Sequence, residues 1–395
     1  MPPVVFNPYS YDIHENPFPT YQQLRTHAPV YRNEALGFWA LSRYDDVLAA
    51  FKDPLTFSNA QGVSLERSSM GDASAVASFL AMDPPRHDQM RALVSRAFTP
   101  RRVADLEPQI RALATHHIDG FIGQGRCDIV QDFAAKLPMD VISELLGVPP
   151  ADRDALRHWA DAVVHREEGR ADIPATALQA SGQLLAYFRE LVAQRRQHPG
   201  TDLPSALLDA EIDGSRLEDR EVVAFLFLMI IAGNETTAKL IGNALFWLWK
   251  HPHERQRVRR EPSLIPNWIE ETLRYDSSTQ MLARTVTHDV TLHGQQLQHG
   301  DRLLLLVGSA NRDELVFANA DVFDIRRDTS QHLAFGKGTH FCLGASLARL
   351  ETRVALEAVH ARLPDFEIDD TKLVRVHSPN VRGFASMPIT FTPRP

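Results

Sequence analysis

A mainly α-helical fold with a smaller β portion is what this sequence predicts, on three observations. Apolar residues recur at helical spacing through long stretches at about 86–97, 103–122, 129–146, 151–165, 174–197, 218–250, 264–275 and 343–363. Strand-like patterning is confined to 28–44, which reads as a hairpin, 290–307, which reads as a second hairpin, and 366–393, which reads as terminal strands. No repeat, low-complexity tract or long linker divides the 395 residues, so a single domain over 1–395 is expected.

With 44% hydrophobic and 23% charged residues, the chain can bury a large core and has the balance of a soluble protein. A net charge of −8 argues against a general nucleic-acid binder. The N-terminal "MPPVVFNPYS" lacks the basic and apolar segments of a signal peptide, and the longest charge-free apolar run, 222–233, is short for a bilayer. A cytoplasmic protein without a membrane anchor is the expectation. The only cysteines are Cys127 and Cys342. A large cytosolic chain seldom joins two thiols in a disulfide. No second cysteine stands at zinc-ligand spacing from Cys342, and no C-x-x-C-H offers covalent haem attachment. One thiol therefore works alone or is structural.

That thiol stands out in "FGKGTHFCLG", residues 335–344, at the mouth of the 343–363 helix. The N–H groups of Leu343, Gly344 and Ala345 are available to favour thiolate over thiol. The flanking glycines Gly336, Gly338 and Gly344 permit a tight loop and the close approach of a flat partner. A nucleophile, a haem-ligating thiolate and an inert helix-start cysteine all fit this stretch. A second motif, "AGNETT" at 232–237, interrupts an apolar helix with Gly233, Glu235 and Thr236. Glycine there costs about 1 kcal/mol relative to alanine. The Thr236 hydroxyl is expected to bond the carbonyl of Ala232. An acid and a hydroxyl in a buried helix suggest a pocket more than a solvated face. In "EETLR", Glu271 and Arg274 are spaced to pair on one helix face, a weak signal alone. In "DPPRHDQMR", His87 and Arg91 lie four apart and could grip a carboxylate, although a solvated basic face is the commoner reason. The irregular stretches 60–81 and 308–334 are candidates for lining a site.

Taken together and in this order, these motifs resemble the cytochrome P450 superfamily of haem-thiolate monooxygenases, in its soluble bacterial branch. Phe335, Gly338, His340, Cys342 and Gly344 occupy every fixed position of F-x-x-G-x-[HR]-x-C-x-G. Ala232, Gly233, Glu235, Thr236 and Thr237 match [AG]-G-x-[DE]-T-[TS], and Glu271 with Arg274 matches E-x-x-R. The stretch "ANRDELVF" at 310–317 also looks like that branch.

The resemblance implies the P450 fold, with haem b between a long distal helix and the helix of the cysteine loop. It makes Cys342 the axial iron ligand, with Phe335 packed on the thiolate side and Gly344 beside the cofactor. His87, Arg91, Arg284 and His340 would hold the haem propionates. Glu235 and Thr236 would be the catalytic proton-relay pair, and Glu271 and Arg274 structural. Many relatives place arginine just before the phenylalanine of the coil that precedes the cysteine loop. Here Val322 precedes Phe323, and Arg326 and Arg327 are the candidates to replace it.

Without a flavin or nicotinamide fingerprint, electrons are expected from a separate ferredoxin and its reductase. Of the basic residues at 86–102, Arg91 would turn inward to a propionate, and several of the others, Arg86, Arg96, Arg101 and Arg102, would be exposed as the expected docking surface. By position in the family, the substrate pocket would draw on 60–82, on about 164–180, and on Leu228, Ala232, Thr236, Met281, Leu282 and Phe384. That lining implies a lipophilic substrate of the steroid, terpenoid, fatty acid or polyketide class, oxidised with molecular oxygen by a monomeric enzyme. The alternatives are a peroxide-driven peroxygenase of the same fold and a haem-binding protein without turnover.

Overall fold

In the computed structural model, which describes residues 4–66, 73–212 and 215–393, helices dominate. After a single helical turn at Tyr11–Glu15 come α1 (Phe18–His27), β1 (Val30–Asn33), β2 (Phe38–Leu41), α2 (Tyr44–Lys52) and β3 (Phe57–Ser58). The helical body follows as α3 (Arg86–Ser95), α4 (Glu107–Asp119), α5 (Lys136–Leu145) and α6 (Arg153–Val164). It continues as α7 (Ala175–Gln197), α8 (Asp219–Lys250) and α9 (Ile265–Tyr275). After β4 (Leu282–Val286), β5 (Val290–Leu292), β6 (Gln295–Leu297) and β7 (Arg302–Leu305), a long coil leads to α10 (Ala345–Arg362). Short strands close the chain, among them Phe384–Ser386 and Pro388–Thr390.

Helix α8 organises the rest. It opens with a capping box, in which Glu218 and Glu221 each satisfy the other's backbone N–H. By length and composition α8 could cross a bilayer, but 72% of its most apolar window is buried inside the protein. Two apolar cores pack against it. Residues 222–230 join α5, α6 and α7, whereas Leu240, Ile241, Ala244 and Leu245 join α4, α9 and α10. The stretch between, containing Ala232, Glu235 and Thr236, belongs to neither core and lines a cavity. Glycine, acid and hydroxyl do not break the helix there.

Three expectations are corrected. The predicted hairpin over 290–307 closes sooner, by pairing of β5 with β6 across His293 and Gly294, both at positive φ. Strand β7 then leaves it for the main sheet, whose order is β1-β2-β7-β4-β3, and pairs parallel to β2 and antiparallel to β4. Its buried "RLLL" suits a central strand covered on both faces. The predicted helix over 103–122 is two helices, Pro100–Asp105 and α4, with Pro108 in the first turn of the second. The predicted helix over 129–146 begins as a wide turn, Val130–Ala134, before α5 takes over.

Candidate active site

The cysteine loop is built by close backbone approach. Gly338 sits at φ +71°, and a Cβ there would stand 2.6 Å from the carbonyl oxygen of Phe51 at the end of α2. The Cys342 N–H donates to the Phe335 carbonyl at 2.9 Å, which closes the loop. Gly344 is the N-cap of α10, and a Cβ on it would meet nothing within 4 Å among the described residues beyond its chain neighbours. Cys342 and Ala232 are both exposed, yet each lines an internal cavity of about 400 Å³. Glu235, Thr236, Phe335, His340 and Gly344 line it too.

Burial pushes the Cys342 thiol up, while the backbone N–H of Gly344 and the guanidinium groups of Arg91 and Arg349 favour the thiolate. Both cysteines are free. Cys127 lies in a short strand paired with Pro388–Thr390, and its thiol is raised by burial and by Asp132 and Asp128.

A basic group gathers beside the loop. Arg91 Nη2 donates to the Phe341 carbonyl at 2.6 Å, fixing α3 against the loop. Arg284 lines the cavity, is 3% exposed and forms no ion pair among the described residues. The rings of His87 and His340 are 4.1 Å apart. His87 Nδ1 meets Asp88 at 2.8 Å, but its Nε2 is buried without a partner among the described residues. Among the described residues neither ring nitrogen of His340 makes a well-formed hydrogen bond, although the Met82 carbonyl favours protonation. Burial, then His87, Arg284 and Arg91, hold the His340 pKa down at about 3. The two guanidinium groups and the buried imidazole nitrogens form a donor set whose chemistry suits carboxylates.

On α8, Thr236 Oγ1 donates to the Ala232 carbonyl at 2.9 Å. Glu235 is 2% exposed, with Oε2 3.5 Å from Nζ of the buried Lys239. Its pKa is raised by burial and by the Asp161 carboxyl of α6, against the pull of Lys239. Glu235 is therefore a buried acid able to hold a proton near neutral pH. The sequence marks Lys239 only as the i+4 neighbour of Glu235, and Asp161 joins the pair only through the fold.

Glu271 and Arg274 form a fully buried bidentate pair, both contacts 2.7 Å. Arg274 also donates to the carbonyls of Asn311 and Ala320, and Glu271 accepts from the Asp324 N–H. Asn311 Oδ1 in turn receives the Leu333 N–H at 2.6 Å, just before the cysteine loop. Of the two arginines that could replace the one missing at Val322, Arg327 approaches Glu271 at 3.4 Å and Arg326 turns outward to Glu261.

The expected substrate lining is corrected in part. Leu228, Ala232, Thr236 and Leu282 line the cavity, as do Val63, Ser64, Phe79 and Leu80 from the 60–82 stretch. Residues 67–72 of that stretch lie outside the described residues. Met281 does not line it, because it packs with Phe6 and Tyr21 in a separate core, on the opposite side from its neighbour Leu282. Phe384 is also absent, its ring lying 4.9 Å from Phe246 beneath Arg375. From 164–180 only Val164 and Arg166 contribute, because α7 packs as an outer layer on α6 and α8.

A cysteine and an acid–hydroxyl pair lining one cavity, in this helical frame, define the class. The chain belongs to the cytochrome P450 superfamily: the family's profile, "Cytochrome P450", matches residues 176–388. It is 54% identical over 395 residues, all of this chain and 98% of the relative, to cytochrome P450 123 of Mycobacterium tuberculosis. It is 39% identical over 382 residues, 95% of this chain and 94% of the relative, to a steroid C26-monooxygenase of the same species. The crystal structure of CYP109E1 from Bacillus megaterium with testosterone superposes with a TM-score of 0.90, at 34% identity, covering 97% of this chain and 100% of that one. The protein is an oxidoreductase of the P450 monooxygenase type, and the family implies a haem cofactor.

Proposed function

We propose that the cavity holds haem b with Cys342 as its axial ligand, and that the enzyme inserts one oxygen atom of O2 into a lipophilic small molecule. The observation that carries this reading is that Cys342 and the Glu235–Thr236 pair, over a hundred residues apart, line one cavity. The residues present fit a haem: Gly344 leaves room for a flat ring, and His87, Arg91, Arg284 and His340 suit its two carboxylates. When bound, the haem supplies the oxidising chemistry.

The chain's own residues do the rest. The Gly344 N–H steadies the Cys342 sulfur, and Phe335, under Arg349 at 4.5 Å, shields it. Glu235 holds a proton beside Asp161, which is only partly buried and so opens a route to solvent. Thr236 Oγ1, at the cavity wall, passes that proton inward. This pair favours an oxygen-using enzyme over a peroxide-driven one. Replacing Thr236 by alanine is expected to leave substrate affinity nearly intact while product falls and peroxide release rises. Measuring product formed per NAD(P)H consumed checks this, and unchanged coupling would remove Thr236 from the relay.

Electrons are assigned to a ferredoxin and its reductase, acting on a monomer in the cytoplasm. Arg96, Arg101 and Arg102 are exposed and form no ion pair among the described residues, next to the segment that Arg91 ties to the cysteine loop. Arg86 is withdrawn from this surface by pairing with Glu221. Reversing Arg96 and Arg101 to glutamate is expected to slow reduction by an acidic ferredoxin and flatten its salt dependence, since screening sets in beyond about 10 Å at 0.1 M. A native rate and native salt slope would put the docking site elsewhere.

A further inference from the structure

The cations on the cavity wall differ in what they can still bind. Among the described lining residues they are Arg91, Arg284 and Arg166. The first two belong to the basic group beside the cysteine loop. Arg166, just past the end of α6, is already engaged. Its Nε donates to Glu66 Oε1 at 2.7 Å, with the side chains only 11% and 6% exposed. Its Nη1 donates to the carbonyls of Val163 and His165 at 3.0 and 2.8 Å. The Tyr9 side chain also hydrogen-bonds Glu66, and the Arg166 backbone is held by His377 and by the Tyr11 hydroxyl. The guanidinium is neutralised and fixed. A ligand carboxylate would have to displace Glu66 and leave it buried without its partner, which is costly.

Beside this pair the wall is polar but uncharged. Ser64, Ser278, Thr279, Ser378 and Asn380 line it, and Asn380 Nδ2 donates to Ser64 Oγ at 3.0 Å. Ser278 is 5% exposed, and its Oγ has no hydrogen-bond partner among the described residues. Much of the remaining lining is apolar, Leu80, Val163, Leu228 and Leu282 included. A buried hydroxyl without a partner, set in such a wall, suits a ligand oxygen that brings no charge.

We infer, building on the monooxygenase reading above, that the substrate is an uncharged lipophile whose hydroxyl or carbonyl oxygen hydrogen-bonds Ser278, and that the Glu66–Arg166 pair makes the cavity discriminate against free carboxylates. Of the substrate classes the lining allows, this favours neutral steroid-like or polyketide-like compounds over fatty acids.

The test is equilibrium dialysis of the full haem-loaded protein against four probes: hexadecanoic acid, its methyl ester, testosterone, and the same ring hydrocarbon without oxygen. Native protein is expected to bind the ester at least about tenfold more tightly than the acid. Glu66→Gln, which keeps the shape but frees Arg166, should raise the acid's affinity about tenfold and leave the ester's unchanged. Ser278→Ala should weaken testosterone about three- to tenfold and spare the hydrocarbon. Equal binding of acid and ester by native protein overturns the carboxylate discrimination, even if Glu66→Gln fails to fold. No gain for the acid in a folded Glu66→Gln protein overturns it as well. Equal loss for testosterone and the hydrocarbon in Ser278→Ala overturns the hydrogen bond. Dialysis reads binding whatever the iron ligand, so a carbon monoxide spectrum of the same preparation separates failure of the monooxygenase reading from failure of this one.

Discussion

Arg274→Ala is expected to destabilise the protein by about 3–5 kcal/mol, a large share of the roughly 5–15 kcal/mol that holds a typical domain together. Arg274 and Glu271 are both 0% exposed, and removing the cation leaves a buried carboxylate with the Asp324 N–H and only the longer 3.4 Å contact from Arg327 as its remaining cation. The same change frees the carbonyls of Asn311 and Ala320. It also loosens the link through Asn311 to Leu333, so retention of haem should suffer along with stability. The comparison is Arg326→Ala. Its ion pair with Glu261 spans 3.3 Å at the surface, with side chains 57% and 52% exposed, and should be worth no more than about 1 kcal/mol. Urea unfolding of the two variants checks the contrast. Equal losses would mean that the buried pair is not a structural anchor.

Cys342→Ser is the second. It should abolish the thiolate-type spectrum and reduce turnover to background, while the haem-free protein unfolds within about 1 kcal/mol of the native one. The side chain faces the cavity and belongs to neither apolar core, so little packing is lost. A serine hydroxyl stays protonated at neutral pH and cannot donate charge to iron as a thiolate does. Turnover with an unshifted spectrum in this variant would remove Cys342 from the site.

Much of this architecture was legible because long helices carry their own periodic signal. Helix α8 runs over Asp219–Lys250 against an expectation of 218–250, and α7 over Ala175–Gln197 against 174–197. Short elements carried too little pattern. Helix α2 and strand β4 went unforeseen, being fixed by the packing and pairing that they join. The motifs placed Cys342, Glu235 and Thr236 in one family pattern, and in the fold all three line one cavity. What failed was orientation. Met281 and Leu282 are neighbours, and a strand sends neighbours to opposite faces, which the sequence does not label as core or cavity. Arg326 and Arg327 raise the same problem in a coil, where no period says which turns inward. The Glu66–Arg166 pair joins residues a hundred positions apart, with no local signal at either end.

The central claim, that Cys342 is the thiolate ligand of the haem iron, is tested most directly by the carbon monoxide spectrum of the reduced, haem-loaded native protein. The account predicts a Soret band at the wavelength characteristic of thiolate ligation. An imidazole-like band in correctly folded native protein would contradict it and would make a histidine, His340 first, the ligand.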